Sequence, residues 1–419
     1  MESTGMKNKI QLSQEAADCI PPDCKDIWVK PRETLIDVKG KGMMQTYWLQ
    51  FKTAGTESAV SSDVLESTLL TSQSPEEAMA NYSPEDIAAA RSEKLTRLID
   101  WNVEVLHGLL QKIVAARTAG PSTTADNPVG NLRIETDAEA TILDEVKEVI
   151  ALPSLSSKGN TSPNMVALAP EVERQLRQYV ENIASLYHEH RFHSFEHASH
   201  VTQSVMKLLE RVVSPDTIER LDSQEFKWKE SSASCILDPL TQFAVAFSAL
   251  IHDVDHKGVP NMQLVKEQSA EAKRYRYQSV AEQNSVDIAW WVLMEPEFRD
   301  LRACIFSTEE ELTRFRQVVV NTVMATDIVD KKLGELRRKR WDTAFHGKVP
   351  TKDDANRKAT IVIEHLIQAS DVSHTMQHWH VYLKWVSQVE CVLWYHACVY
   401  TDCMSNRKIK LCRLIACLE

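Results

Sequence analysis

Glycine is scarce in this chain, with 11 among 419 residues. Neither a Walker loop nor Gly-x-Gly-x-x-Gly occurs, which excludes the glycine-rich phosphate cradles that both motifs build. Gly-x-Ser-x-Gly is missing too, so a serine hydrolase of the nucleophile-elbow type is excluded. No Cys-x-x-Cys pair occurs among the 9 cysteines, so zinc-ribbon spacing is absent. Cys19, Cys24, Cys235 and Cys304 are scattered, as expected in a reducing compartment. No signal peptide opens the chain, and no apolar run approaches the length of a membrane span. Val389 to Tyr400 is too short and carries Glu390 and His396. Net charge of -11 argues against binding nucleic acid through its backbone and gives no general attraction for an anionic ligand. These absences predict a cytoplasmic chain without a membrane segment of its own.

What is abundant is histidine beside aspartate. Phe192-His193-Ser194-Phe195-Glu196-His197 is followed by Ile251-His252-Asp253-Val254-Asp255-His256. On a helix, His193 and His197 would project from one face. The apolar run Phe243 to Ile251 buries His252 and Asp253 at the inner end of a helix, and Asp371 ends another apolar helix. Any one of these residues alone reads as a core histidine or a helix cap. As a set they suit a borderline divalent metal, because buried charges this dense need a metal or one another.

At these residues the sequence resembles the catalytic domain of class I 3',5'-cyclic nucleotide phosphodiesterases, which are HD-type metal phosphohydrolases. The resemblance runs from about Glu171 to Trp385. Besides the two blocks above, it rests on Gly258 with Asn261, Ser279-Val280-Ala281-Glu282, Ala325-Thr326-Asp327, and Ala369-Ser370-Asp371 with Trp385. It implies that His197, His252, Asp253 and Asp371 hold a first metal, zinc, and that Asp253 bridges to a second, magnesium or manganese. Two such metals would lower the pKa of the attacking water. By the same resemblance His193 is the general acid for the departing ribose oxygen, and His256, Glu282 and Thr326 orient metal-bound water. The substrate would be cAMP, cGMP or both, opened to the 5'-monophosphate. The alternative reading is a metal-binding remnant without turnover.

Some positions depart from the family pattern. Phe192-His193-Ser194 stands for Tyr-His-Asn, His200 for an aspartate, Tyr275-Arg276-Tyr277-Gln278 for Tyr-Asn-Asp, and Gln283-Asn284-Ser285 for Asn-His-His. None removes a metal ligand. After Trp385 the likeness is expected to stop. Val392 occupies a position where the family has a glutamate, and its purine-reading glutamine and phenylalanine would fall beyond Glu419. The tail 386–419 carries Cys391, Cys398, Cys403, Cys412 and Cys417 and reads as aberrant, as a retained intron or shifted frame would.

Residues 1–52 resemble the last part of a class III nucleotide cyclase domain. The closing strand would lie in Lys39 to Leu49, with Lys39 a vestigial contact for the nucleotide polyphosphate. Residues 53–170 read as a linker. It contains a long helix over about 83–118, capped by Ser83 before Pro84, and a short helix over about 137–151. The apolar stripe Leu95, Leu98, Ile99, Asn102, Val105, Leu106, Leu109, Leu110 and Ile113 leaves two uses open: a homodimeric coiled coil, or docking on the catalytic core. Residues 171–385 form the catalytic domain, expected to be C-terminally incomplete. The basic run Lys331-Lys332 with Arg337 to Arg340 reads as a solvated helix face or a surface for an acidic partner. The fold expected is mainly α: an all-helical HD-type phosphodiesterase domain behind a small α/β fragment.

Overall fold

The computed structural model describes residues 10–14, 17, 29–38, 42–49, 84–119, 140–153, 166–190, 192–213, 236, 238–346, 353–377, 381–382 and 385. Ser83, Lys39 and the tail 386–419 lie outside them. The chain forms two compact units, Met1–Ser74 and Pro75–Glu419. Most described residues are helical.

Among its described residues the first unit has five short strands, with Gln14 and Ala17 helical. Strands β1 (Ile10–Ser13), β2 (Val29–Pro31) and β5 (Thr46–Leu49) make an antiparallel sheet in the order β1-β5-β2, while β3 (Ile36–Val38) pairs with β4 (Gly42–Met44). The segment expected as one closing strand is therefore two, β4 and β5, parted at Gln45. The Gln45 amide donates to the carbonyls of Arg32 at 2.8 Å and Thr46 at 2.9 Å. Such side-chain bonds satisfy the backbone at the break in place of a ladder partner.

The second unit is built round α4 (Pro239–Ile251). Its start is fixed by Asp238, whose carboxylate accepts from the Thr241 amide at 2.9 Å, and by Pro239 in the first turn. Every residue from Phe243 to Ile251 is buried, so this helix is apolar all round and must be covered on every side. The cover comes from α1 (Pro84–Ala119), α3 (Phe195–Val213) and α9 (Glu309–Met324). Around these lie α2 (Pro170–Ser185), α7 (Val280–Met294), α8 (Arg299–Ile305), α10 (Lys331–His346) and α11 (Asp354–Asp371). Two short helices, α5 (Asn261–Lys266) and α6 (Ala270–Arg274), lead into α7.

The stripe on α1 takes the docking option. Ile99, Leu106, Leu109, Leu110 and Ile113 are all buried in the same core as α4, and Asn102 donates to Ser199 of α3 at 2.9 Å. Arg117 reinforces the seat by donating to the carbonyls of Cys304 and Ile305 and pairing with Glu311 at 2.7 Å. A homodimer through helix 83–118 is not supported, because the face that would dimerise is already covered. Residues assigned to a linker thus form part of the core.

The short helix expected over about 137–151 is a second correction. Only Ile142–Glu145 turns, as one 3-10 helix, and the chain then runs non-helical to 153. Its backbone groups are bonded by side chains of other helices: Leu143 N by Gln283 Oε1 at 3.0 Å, Lys147 N by Asn321 Oδ1 at 3.1 Å and Ile150 N by Thr360 Oγ1 at 3.1 Å. These outside partners replace the internal ladder that a helix would have formed. Most of the basic run is also engaged, since Arg340 is buried and Lys339 pairs with Glu148 at 2.9 Å. No helix among the described residues is long and apolar enough to cross a membrane.

Leu110 is fully buried between α1 and the core. Leu110→Ala should cost about 2–5 kcal/mol of unfolding free energy, read by urea denaturation. A change below about 0.5 kcal/mol would show that α1 is not seated in solution.

Candidate metal centre

Three helix ends converge. His197 sits in the first turn of α3, His252 caps the C-terminus of α4, and Asp371 is the last residue of α11. Their ligand atoms all lie within 4.8 Å of one another. His197 Nε2 is 3.0 Å from Asp371 Oδ1. Asp253, directly after α4, brings Oδ2 to 3.3 Å from His252 Nε2 and 3.9 Å from His197 Nε2.

His252 is the telling residue. Its Nδ1 donates to the Ala249 carbonyl at 2.9 Å, which leaves Nε2 aimed at the carboxylates. That Nε2 is buried and makes no aligned hydrogen bond, although Asp371 Oδ1 is only 3.6 Å away. A buried nitrogen left in this state costs about 1–3 kcal/mol unless something else fills the role. A divalent cation fits: two imidazole nitrogens and two carboxylates are a zinc-compatible donor set, with the second nitrogen of His252 locked by a carbonyl.

The charges explain themselves without the cation as well. Burial opposes a charged His252, but Asp253 and Asp371 outweigh it and push the imidazole well above its usual range. Burial likewise opposes ionised Asp253 and Asp371, yet His252 holds Asp253, and His197 with His252 hold Asp371, well below the carboxylate range. The two carboxylates favour a protonated His252, whose Nε2 is the atom a metal would take.

The turn after α4 is fixed by Asp255, which has a left-handed backbone at φ 59°. Its carboxylate takes bonds from His188 Nε2 at 2.7 Å, Lys257 Nζ at 2.8 Å and Asn284 Nδ2 at 3.0 Å. Gly258, at φ 72°, passes close under His190, and a Cβ there would meet that ring at 3.2 Å. Its amide donates to His256 Nδ1 at 3.0 Å.

His193 is placed differently from expectation. The helix begins only at Phe195, and His193 lies in the bend before it, where Ser194 N bonds Phe192 O at 2.8 Å. The two imidazoles therefore do not share a helix face. His193 stacks on His256 with ring centroids 3.7 Å apart, and its Nδ1 is buried without a partner. Burial lowers His193 to about 3 and lowers His256 as well.

Glu282, in the first turn of α7, accepts from Asn261 Nδ2 at 2.8 Å. Asn261 Oδ1 in turn takes the Ala281 amide at 2.9 Å, so one side chain fixes both the helix start and the carboxylate. Burial, helped by nearby Asp327, raises Glu282 to about 7. Thr326 turns its hydroxyl to the Val323 carbonyl at 2.8 Å. Roles for Asp255, Asn261 and Asp327 were missed in the sequence, although all three stand inside the blocks that carry the resemblance; partners 20 to 67 residues away gave no local signal. Trp385 is buried against His197, Phe192, His200 and His374 and walls the centre on one side.

Two outcomes follow from these charges. A metal cannot share Nε2 of His252 with a proton, so zinc binding near pH 7 should release protons and weaken as pH falls. Calorimetric titration at pH 7 in two buffers of different ionisation enthalpy should give different heats; equal heats would mean His252 is neutral beforehand. For Glu282 the raised value makes the folded state lose stability as pH rises from its ordinary 4.5 through about 7. Glu282→Gln should therefore stabilise the metal-free chain by about 3 kcal/mol at pH 8 and leave it unchanged near pH 4, read by denaturation at both.

Residues 192–394 match the family 3'5'-cyclic nucleotide phosphodiesterase. The match continues through Trp394, past Trp385 where the likeness was expected to stop. Dual specificity calcium/calmodulin-dependent 3',5'-cyclic nucleotide phosphodiesterase 1C of Mus musculus is 26% identical over 212 residues, 50% of this chain and 26% of that protein. A probable 3',5'-cyclic-AMP phosphodiesterase of Caenorhabditis elegans is 26% identical over 219 residues, 52% of this chain and 29% of its own length. The chain thus spans about a quarter of the length of such curated relatives. The solved phosphodiesterase domain of Salpingoeca rosetta rhodopsin phosphodiesterase aligns at a TM-score of 0.43 and 21% identity, over 54% of this chain and 61% of that one. Over 192–394 the chain matches the catalytic domain of the class I cyclic nucleotide phosphodiesterases, and the match takes in His193, His197, His252, Asp253, His256, Glu282, Thr326 and Asp371.

Proposed function

We propose that this chain hydrolyses 3',5'-cyclic nucleotides to 5'-monophosphates at the centre formed by His197, His252, Asp253 and Asp371. The observation that carries the reading is His252 Nε2, buried without a hydrogen-bond partner among three other potential metal ligands. Divalent metals held there, zinc with magnesium or manganese, would supply the positive field that the net charge of -11 does not, and would acidify the attacking water.

The chain's own groups divide the remaining work. Water oxygen bonds to phosphorus, the bond from phosphorus to the ribose 3'-oxygen breaks, and that oxygen needs a proton. His193 supplies it. Burial keeps its imidazole neutral in the free site, and an arriving anionic phosphate favours the charged form. His256, stacked on His193, holds the ring in place. Glu282, steadied by Asn261, and Thr326 orient water. Phe192 and Trp385 close over His197 and keep bulk water from the ligand set.

The relatives are named for cAMP, for cGMP and for both, so the purine is left unassigned. The same reading places the work in the cytoplasm, in cyclic nucleotide signalling. It treats residues 1–52 as a small α/β fragment derived from a nucleotide cyclase domain.

The test is hydrolysis of cAMP and cGMP by the purified chain with zinc and magnesium, beside Asp371→Ala. Turnover abolished in the variant is the expected result. A folded, metal-loaded chain without turnover would overturn it and leave a metal-binding module. His193→Ala should keep the metals and slow turnover by about 10²–10⁴-fold. Loss of metal in that variant would reassign His193 as a ligand.

A further inference from the structure

Residues 141–150 are held by an unusual set of bonds. Their anchors come from four helices, α7, α9, α10 and α11, and most grip the backbone. Asn321 of α9 takes the Lys147 amide on Oδ1 at 3.1 Å and returns Nδ2 to the Lys147 carbonyl at 2.8 Å. Arg340 of α10, fully buried, donates to the carbonyls of Lys147 and Glu148 and to the Glu364 carboxylate of α11. Thr360 of α11 takes the Ile150 amide, and Gln283 of α7 the Leu143 amide. Two strap carboxylates add charge: Glu145 pairs with both ends of the Arg316 fork at 2.8 Å, and Glu148 with Arg357 at 2.9 Å.

These anchors sit on the elements that bear the candidate centre. Gln283 adjoins Glu282. Asn321 lies just before the turn that holds Thr326 and Asp327. Thr360 and Glu364 precede Asp371 by three and two helical turns, and at 100° per residue all three fall on one stripe of α11. A shift of α11 along its axis moves Asp371 by the same distance. Each anchor bond is worth about 0.5–1.5 kcal/mol, more where charge is shared, and α11 packs in a core that does not deform gradually.

We propose that residues 141–150 are a positioning strap: their seating on Gln283, Asn321, Arg340 and Thr360 sets where α11 places Asp371 and where α7 places Glu282. The strap lies between α1 and the catalytic helices in the chain, so whatever pulls on its upstream end acts on the centre without touching substrate. For its effect on turnover this rests on the function proposed above. For its effect on geometry it does not.

The test separates the two. Thr360→Val keeps the volume but removes the acceptor for the Ile150 amide; Thr360→Ser restores it. Glu145→Gln loosens the strap from its exposed side and guards against a Thr360→Val chain that does not fold. Hydrogen exchange is measured on the metal-free protein, zinc affinity by competition with a chelator, and kcat and KM on the loaded protein. Release should speed exchange at least ten-fold in 143–150 and also in 366–371 and 280–285. It should weaken zinc binding several-fold, and lower kcat with little change in KM, with all of these rescued by Thr360→Ser. Faster exchange confined to 143–150 with unchanged zinc affinity would overturn the strap's positioning role. If the exchange and zinc effects appear in a chain that never turns over cyclic nucleotide, the strap stands and only the proposed activity falls.

Discussion

The second unit depends on charge removed from water and matched on the spot. His197, His252, Asp253 and Asp371 come from the ends of three helices, and α4 is too apolar to offer them any other partner. Removing one member of such a set typically costs about 3–5 kcal/mol, because the opposite charge is left buried and alone. That cost adds to apolar packing in fixing the relative placement of α3, α4 and α11. A centre that must be electrically complete also selects for a cation, which relieves the two carboxylates more effectively than one shared proton.

The next layer outward mixes ion pairs with neutral hydrogen bonds. Asp255 locks the turn carrying Asp253 with three side-chain partners, and Asn261 fixes Glu282 while capping α7. Both use a residue with a short, branched polar side chain to bind backbone or carboxylate across a tight turn. The strap extends this outward again, through Asn321, Arg340 and Glu364. Because Asn321 and Arg340 bind strap backbone, the seat is specified by the helices more than by the strap's own side chains.

The helical class was legible because it is written locally, and three residues proposed as ligands, His197, His252 and Asp371, do come together. The apolar run Phe243 to Ile251 ending in His252-Asp253 states a buried helix with charge at its tip, and the stripe from Leu95 to Ile113 states a helix with one apolar face. Where prediction failed, the deciding partner was remote. Residues 141–150 have a helical pattern of their own, but Gln283, Asn321 and Thr360 compete for the amides and win. His193 and His197 have helical spacing, but the helix starts at Phe195.

What the sequence determined by itself was which residues are charged at the ends of which apolar segments, because burial and ionisation follow from composition along a short window. Only the tertiary structure decided which of those ends meet. It also decided that the apolar stripe of α1 docks on the core, and that His193 turns to His256 and not to His197. Those choices depend on distances between residues far apart in the chain, and no periodicity in the sequence encodes them.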